Sequence, residues 1–145
     1  MVDDHAIVRE GLRRLIEDTS NINIVAEAST GQEALNLIMT NQYDLVLLDI
    51  SMPGKSGLQT LKEIKKYNKK IPVLMFSMHA EEQYAMRSIK AGASGYLTKD
   101  SASKQLIEAI KKIHNGKKYI SPEVAELLVT DLYFDEEKLP HEYLS

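Results

Sequence analysis
Asp44-Leu45-Val46-Leu47-Leu48-Asp49 is an unbroken aliphatic run closed at each end by a carboxylate. A run this short, bounded by turn-forming Asp, reads as a β-strand buried on both faces. Such strands belong to parallel sheets, because crossover helices cover both sides. The flanking sequence supports this. Upstream, Val8, Leu12, Leu15 and Ile16 recur at helical spacing and predict a helix over Ala6–Asp18. Ile22–Ala26 is short and β-branched, a second strand, and Ala34, Leu35 and Ile38 stripe a helix over Gly31–Met39. Downstream the alternation continues as helix Leu58–Tyr67, strand Pro72–Phe76, helix Glu81–Ala91, strand Gly95–Leu97 and helix Ser103–Asn115. Strands and helices alternating through short loops predict an α/β fold, a doubly wound parallel sheet with helices on both faces.

Gly116 reads as a helix stop, and Ser121-Pro122 opens a further helical stretch through Leu132. Acidic Asp135-Glu136-Glu137 and Leu139-Pro140 follow, so Lys117 onward reads as a linker. The expected organisation is one domain over 1–116 and a linker helix and tail over 117–145. With 43% hydrophobic and 27% charged residues the chain has an ordinary globular composition, which excludes a disordered or fibrous class. It contains no cysteine, which removes disulfides, thiolate nucleophiles and Cys-ligated metals and fits the cytoplasm. No apolar run approaches the roughly 20 residues of a spanning helix, so no membrane association is expected. A net charge of -3 gives no global field for attracting nucleic acid.

In a doubly wound sheet the ligand site lies beyond the carboxyl ends of the strands. The residues placed there are Asp3, Asp4, Asp49, Ser77 and Lys99. Each alone has an ordinary role: Asp4 as a helix cap, Asp49 in the turn before Met52-Pro53-Gly54, Ser77 as a satisfied hydroxyl, Lys99 as a solvated charge. Their convergence at one end of one sheet is what topology alone does not require. Two carboxylates about 4 Å apart repel by roughly 4 kcal/mol at an effective dielectric near 20, so the group calls for a cation. Carboxylate, carbonyl and water ligands suit Mg²⁺, which keeps open positions for phosphate oxygens. A carboxylate in such a site can itself become the phosphoryl acceptor, with Mg²⁺ and a lysine neutralising the developing charge.

These residues carry a family resemblance. Val2-Asp3-Asp4-His5, Leu47-Leu48-Asp49-Ile50-Ser51-Met52-Pro53-Gly54 with Gly57, Phe76-Ser77 and Ala91-Gly92-Ala93-Ser94-Gly95-Tyr96-Leu97-Thr98-Lys99-Asp100 together resemble a two-component response-regulator receiver domain of the NarL/FixJ (LuxR-type) family. The resemblance covers nearly all of residues 2–116 and implies a flavodoxin-like (βα)5 sandwich with sheet order 2-1-3-4-5. It implies that Asp49 is phosphorylated, that Asp4, Asp49 and the Ser51 backbone carbonyl bind Mg²⁺, and that Asp3 acts through water. Ser77 and Lys99 would hold the phosphoryl group, and Tyr96 would be the switch aromatic, moving inward as Ser77 shifts. The implied partner is a sensor histidine kinase; activation would change the face of the fourth helix, fifth strand and fifth helix and lead to a homodimer, whose face the resemblance leaves open.

Two departures matter. Only Met1 and Val2 precede the acidic pair, where a strand of about five or six residues belongs, so the first strand is truncated. That predicts marginal stability or compensation by another chain, with the start either misassigned or trimmed. Asp100 stands where many receivers carry proline, and it or Ser101 is expected to cap the last helix. Tyr143-Leu144-Ser145 resembles the opening of a LuxR-type helix-turn-helix domain, so DNA contact is expected only through a C-terminal domain that this chain lacks.

Two other readings compete. A haloacid-dehalogenase-like phosphatase needs a second Asp two residues after the nucleophile, where this chain has Ser51, so a regulatory phosphoacceptor rather than an enzyme is expected. A pseudo-receiver would keep the fold without phosphorylation, against which the intact residues at 4, 49, 77 and 99 stand. His5, His79, His114 and His141 lack metal-ligand spacing and read as surface or loop residues. Lys62, Lys65, Lys66, Lys69 and Lys70 read as a solvated helix face.

Overall fold
A computed structural model describes residues 1–3, 5–19, 21–50, 52, 54–77, 82–120, 125, 126 and 129, without the side chains of 82, 83 and 99–104. Strands β1 (Val46–Asp49), β2 (Val73–Ser77), β3 (Gly95–Thr98) and β4 (Tyr119–Ile120) form a sheet in that order, every pair parallel. Helices α1 (Ala6–Glu17), α2 (Gly31–Thr40), α3 (Gly57–Tyr67), α4 (Glu82–Lys90) and α5 (Lys99–His114) connect and cover it.

The central strands are buried along their whole length because alternate side chains face two different cores. Val46, Leu48, Val73, Met75 and Tyr96 pack with Leu35, Ile38, Leu61, Ile64 and Ala85 of α2, α3 and α4. Leu47, Leu74, Phe76 and Leu97 pack on the opposite side with Ile16 of α1 and Leu106, Ala109 and Ile113 of α5. The apolar run is therefore continuous, not alternating, because both of its faces are interior.

Local chemistry sets the helix ends. The Thr30 hydroxyl accepts from the Glu33 backbone N–H at 3.1 Å and starts α2, and the Ser56 hydroxyl accepts from Gln59 at 3.2 Å and starts α3. Gly116 takes φ +85° after α5, as its reading as a helix stop requires. The last helix begins at Lys99, four residues before the expected Ser103, with Thr98 at the N-cap, so neither Asp100 nor Ser101 caps it. The turn follows β3 without a loop, and hydrophilic Lys99-Asp100-Ser101 hid that helical turn from the apolar periodicity.

Two further differences arise at the sheet edges. The expected strand Ile22–Ala26 is not formed; only Ala28 is bridged, in parallel, to Val2, which is bridged in turn to Leu48. Among the described residues the pairing on this side is confined to Met1 and Asp3, whose backbone groups bond Ala26 and Ala28, which is too short a ladder to register as a strand. The lateral order Ala28, Val2, β1, β2, β3 is the expected 2-1-3-4-5. At the other edge Tyr119 and Ile120, read from sequence as linker, pair with Gly95 and Tyr96. Tyr119 is buried against the α5 side, so the sheet extends past residue 116. Of the expected helix over 121–132, only 125, 126 and 129 are described, all helical.

Candidate phosphoacceptor site
The carboxyl edge of the sheet gathers the polar ends of adjacent strands. Asp49 ends β1, Ser77 ends β2 and Thr98 ends β3, with Asp49 in register with Phe76 and Ser77 in register with Thr98. All three are buried, and Asp49 is completely so. Asp3 arrives beside them because Val2 is held to β1 by two β-type hydrogen bonds: Val2 N–H donates to Leu47 C=O at 2.8 Å, and Asp49 N–H donates to Val2 C=O at 2.9 Å. Asp3 N–H donates to Ala28 C=O at 3.0 Å.

Asp3 is as fully buried as Asp49. One carboxylate oxygen from each, with a ring nitrogen of His5, lie within 4.8 Å of one another. The Asp3 carboxylate accepts from the His5 backbone N–H at 2.9 Å, with His5 Nδ1 at 3.3 Å from the same oxygen. The Arg9 guanidinium, one turn along α1, donates to the Asp3 backbone carbonyl. Two buried carboxylates this close are unfavourable together unless a positive charge compensates them. Hard oxygen donors with one accessible side suit Mg²⁺, so Asp3 and Asp49 fit the ion that the sequence implies.

The sequence assigned Asp3 a water-mediated role and left His5 on the surface. The structure puts both in the Asp49 cluster, with the His5 side chain 56% exposed and so facing the open side. The available signal was the spacing: a residue two beyond Asp3, at the α1 N-cap, has its N–H and ring directed back at that carboxylate. Asp4 and Ser51 lie outside the described residues, as do His79 and His141. Lys99 opens α5 directly after Thr98, and its side chain is likewise outside them. Tyr96 is wholly buried in the α2–α3–α4 core, already inward in this structure.

The segment after Asp49 is braced from below. Gly57 N–H donates to Ile50 C=O at 2.9 Å, and Ile50 N–H donates to Phe76 C=O at 3.0 Å, tying the loop after β1 to α3 and β2. Among the described residues no helix is long and apolar enough to cross a membrane.

Residues 1–111 match the family described as "Response regulator receiver domain". The response regulator UvrY of Escherichia coli is 38% identical over 126 residues, covering 87% of this chain and 58% of that protein. The response regulator GacA of Pseudomonas aeruginosa is 34% identical over 128 residues, covering 88% of this chain and 60% of that protein. The chain thus spans about three-fifths of the length of these relatives. A two-component response regulator of the LuxR family from Aurantimonas superposes with TM-score 0.87 at 38% identity, over 91% of this chain and 94% of that one. The isolated REC domain of RcsB from Salmonella enterica, solved with the phosphomimetic BeF3-, superposes with TM-score 0.80 at 25% identity, over 87% and 94% of the two chains. These relatives are regulators rather than enzymes, and this chain belongs with them to the response regulator receiver domain family of two-component signalling.

Proposed function
We propose that Asp49 is the phosphoryl acceptor of this receiver domain and that phosphorylation changes the α4–β3–α5 face. The observation that carries this is the complete burial of the Asp49 carboxylate at the carboxyl end of the central strand, within 4.8 Å of the Asp3 cluster. A sensor histidine kinase supplies the group as a phosphohistidine. An Asp49 carboxylate oxygen forms the new O–P bond while the N–P bond breaks, its electron pair returning to the imidazole. Asp49, with Asp4 and the Ser51 carbonyl by resemblance, would hold Mg²⁺, Asp3 acting through water, and the ion would supply neutralisation of charge on the transferring oxygens. Lys99 pairs with the phosphoryl group and the Ser77 hydroxyl donates to it.

The modification adds nearly two negative charges beside carboxylates already buried, so the domain must answer it by rearranging. Driving such a two-state element from 1:99 to 99:1 takes roughly 5.5 kcal/mol of differential stabilisation. Ser77 and Tyr96 are the coupling pair, on adjacent strands β2 and β3. The output is a changed homodimer or linker contact in the cytoplasm. In the whole protein that contact regulates a DNA-binding domain following the linker after β4; a relative, RcsB, has been solved as two dimers bound to two parallel DNAs.

The test is intact-protein mass spectrometry after incubation with acetyl phosphate, with and without Mg²⁺, on the wild-type chain and on Asp49→Asn. The expected result is a Mg²⁺-dependent gain of one phosphoryl mass that Asp49→Asn abolishes. A folded wild-type chain that takes no phosphoryl group would overturn the proposal and leave a pseudo-receiver.

A further inference from the structure
His5 sits at the N-cap of α1, where the side chain of Ser, Thr, Asp or Asn commonly accepts a helix N–H, yet its ring makes no such cap. The residue is turned the other way. Its backbone N–H donates to an Asp3 carboxylate oxygen at 2.9 Å, and its Nδ1 stands 3.3 Å from that same oxygen. A ring nitrogen of His5 and one oxygen from each of Asp3 and Asp49 lie within 4.8 Å of one another.

A histidine that only covered Asp3 would need to meet Asp3 alone. Here one nitrogen stands beside two carboxylates from different parts of the chain, Asp3 next to Val2 and Asp49 at the end of β1. Both carboxylates are fixed by complete burial, whereas the His5 side chain is 56% exposed. Two atoms bound to one ion at about 2.1 Å stand roughly 3–3.5 Å apart, so a separation of up to 4.8 Å has at most roughly 1–2 Å to close. His5 is the member able to close it, because an exposed ring turns about its side-chain torsions without disturbing the core.

The donor types decide which ion gains from this. Mg²⁺ prefers oxygen ligands and sheds water reluctantly, so an imidazole adds little to its binding. First-row transition ions such as Zn²⁺ accept imidazole nitrogen and carboxylate oxygen together. A carboxylate against the ring of a ligating histidine orients that ring, which is the place Asp3 occupies.

We infer that His5 is a nitrogen ligand for a divalent first-row transition ion bound at Asp49, with Asp3 orienting the ring, and that His5 thereby sets the preference of this site among metals. The inference rests on Asp49 as the centre of the site and goes beyond it, since Mg²⁺ has no use for the His5 nitrogen.

The test uses the full chain with Zn²⁺ and Mg²⁺ as probes and no phosphodonor. Calorimetric titrations compare the wild-type chain with His5→Gln, Asp49→Asn and His114→Gln, the last at the far end of α5. His5→Gln should weaken Zn²⁺ binding about tenfold or more and leave Mg²⁺ binding within about twofold. Asp49→Asn should weaken both ions, and His114→Gln neither. In the wild-type chain, saturating Zn²⁺ should shift the ring nitrogen resonances of His5 and leave those of His114 in place. Unchanged Zn²⁺ affinity in His5→Gln or in Asp49→Asn overturns the inference, as do His5 ring nitrogens that stay in place at saturation. An equal loss of both ions in His5→Gln also overturns it, because that would make His5 a support for Asp3 and not a ligand. The expected Zn²⁺ results from a chain that takes no phosphoryl group would sustain this inference and sink the phosphoacceptor reading alone.

Discussion

Gly57 packs its Cα directly against the backbone of Asp49: a methyl group on Gly57 would stand 2.0 Å from the Asp49 carbonyl oxygen and 2.5 Å from Ile50 Cα. Both contacts are with backbone, which has no rotamer to yield. The first turn of α3 therefore sets where Asp49 sits, and the glycine is required by close approach, not by its φ. Gly57→Ala should destabilise the chain by about 2–3 kcal/mol, as overpacking of a close contact does, and slow Asp49 phosphorylation at least tenfold. Gly11, inside α1 with nothing within 4 Å of a built methyl, is the control. Gly11→Ala should stabilise by about 0.5–1 kcal/mol through helix propensity. Urea unfolding of the two variants, with mass spectrometry of the phosphorylated fraction, checks both.

Arg9 reaches from α1 to the Asp3 carbonyl, and its Nε lies 3.9 Å from Glu27, which Arg13 also pairs. It ties helix, acidic residue and the segment before Ala28 together. Arg9→Gln is expected to cost about 1–2 kcal/mol and to weaken Mg²⁺ binding several-fold. Arg14, whose partner Glu10 is an exposed i,i+4 neighbour at 3.1 Å, should be replaceable by Gln within about 0.5 kcal/mol with Mg²⁺ binding unchanged. Calorimetric Mg²⁺ titration alongside denaturant unfolding distinguishes the anchor from the ornament.

Tyr96 has no exposed surface and sits among the α2–α3–α4 core residues. Tyr96→Ala should cost about 3–5 kcal/mol, as large aromatic truncations do. Tyr96→Phe keeps the ring and should stay much nearer wild type. If Tyr96 transmits the signal and does not carry the chemistry, folded Tyr96→Phe still takes the phosphoryl group on Asp49, while phosphorylation-linked dimerisation, read by analytical ultracentrifugation, weakens.

Lys65 is half-buried at the end of α3, donating to the Ile71 and Lys69 carbonyls. Burial, and secondarily the Lys118 charge, pull its pKa below the usual 10.5. The folded state gives up that proton before the unfolded state does. The burial penalty is thus fully present below the folded pKa, and stability rises as pH climbs from there toward 10.5. Lys118→Gln removes the secondary cause and should move the Lys65 pKa upward, read from its side-chain carbon shift during an NMR pH titration. An unchanged Lys65 titration would show that the two ammonium groups do not interact.

The alternation of Leu45–Leu48 with striped segments such as Ala34, Leu35 and Ile38 was legible because strand and helix impose short periods on which residues meet a core. The same reading placed Asp3, Asp49 and Ser77 at one edge of one sheet. It located α5 too late, since Lys99–Ser101 carries no apolar stripe, and it read Tyr119-Ile120 as linker, since a two-residue edge strand has no period to detect. His5 escaped for a different reason: a contact with Asp3 two positions away depends on the turn between them.

From residue order alone come the doubly wound parallel fold and the polar cluster at its carboxyl edge. Those properties follow from local hydrophobic period and chain direction. Only the tertiary structure decided that Gly57 touches the Asp49 backbone, that Arg9 holds Asp3, that Tyr96 is inside, and that Tyr119 and Ile120 extend the sheet beside β3. Each is a meeting of elements distant along the chain or turned about a loop, and packing, not periodicity, determines which atoms come within reach.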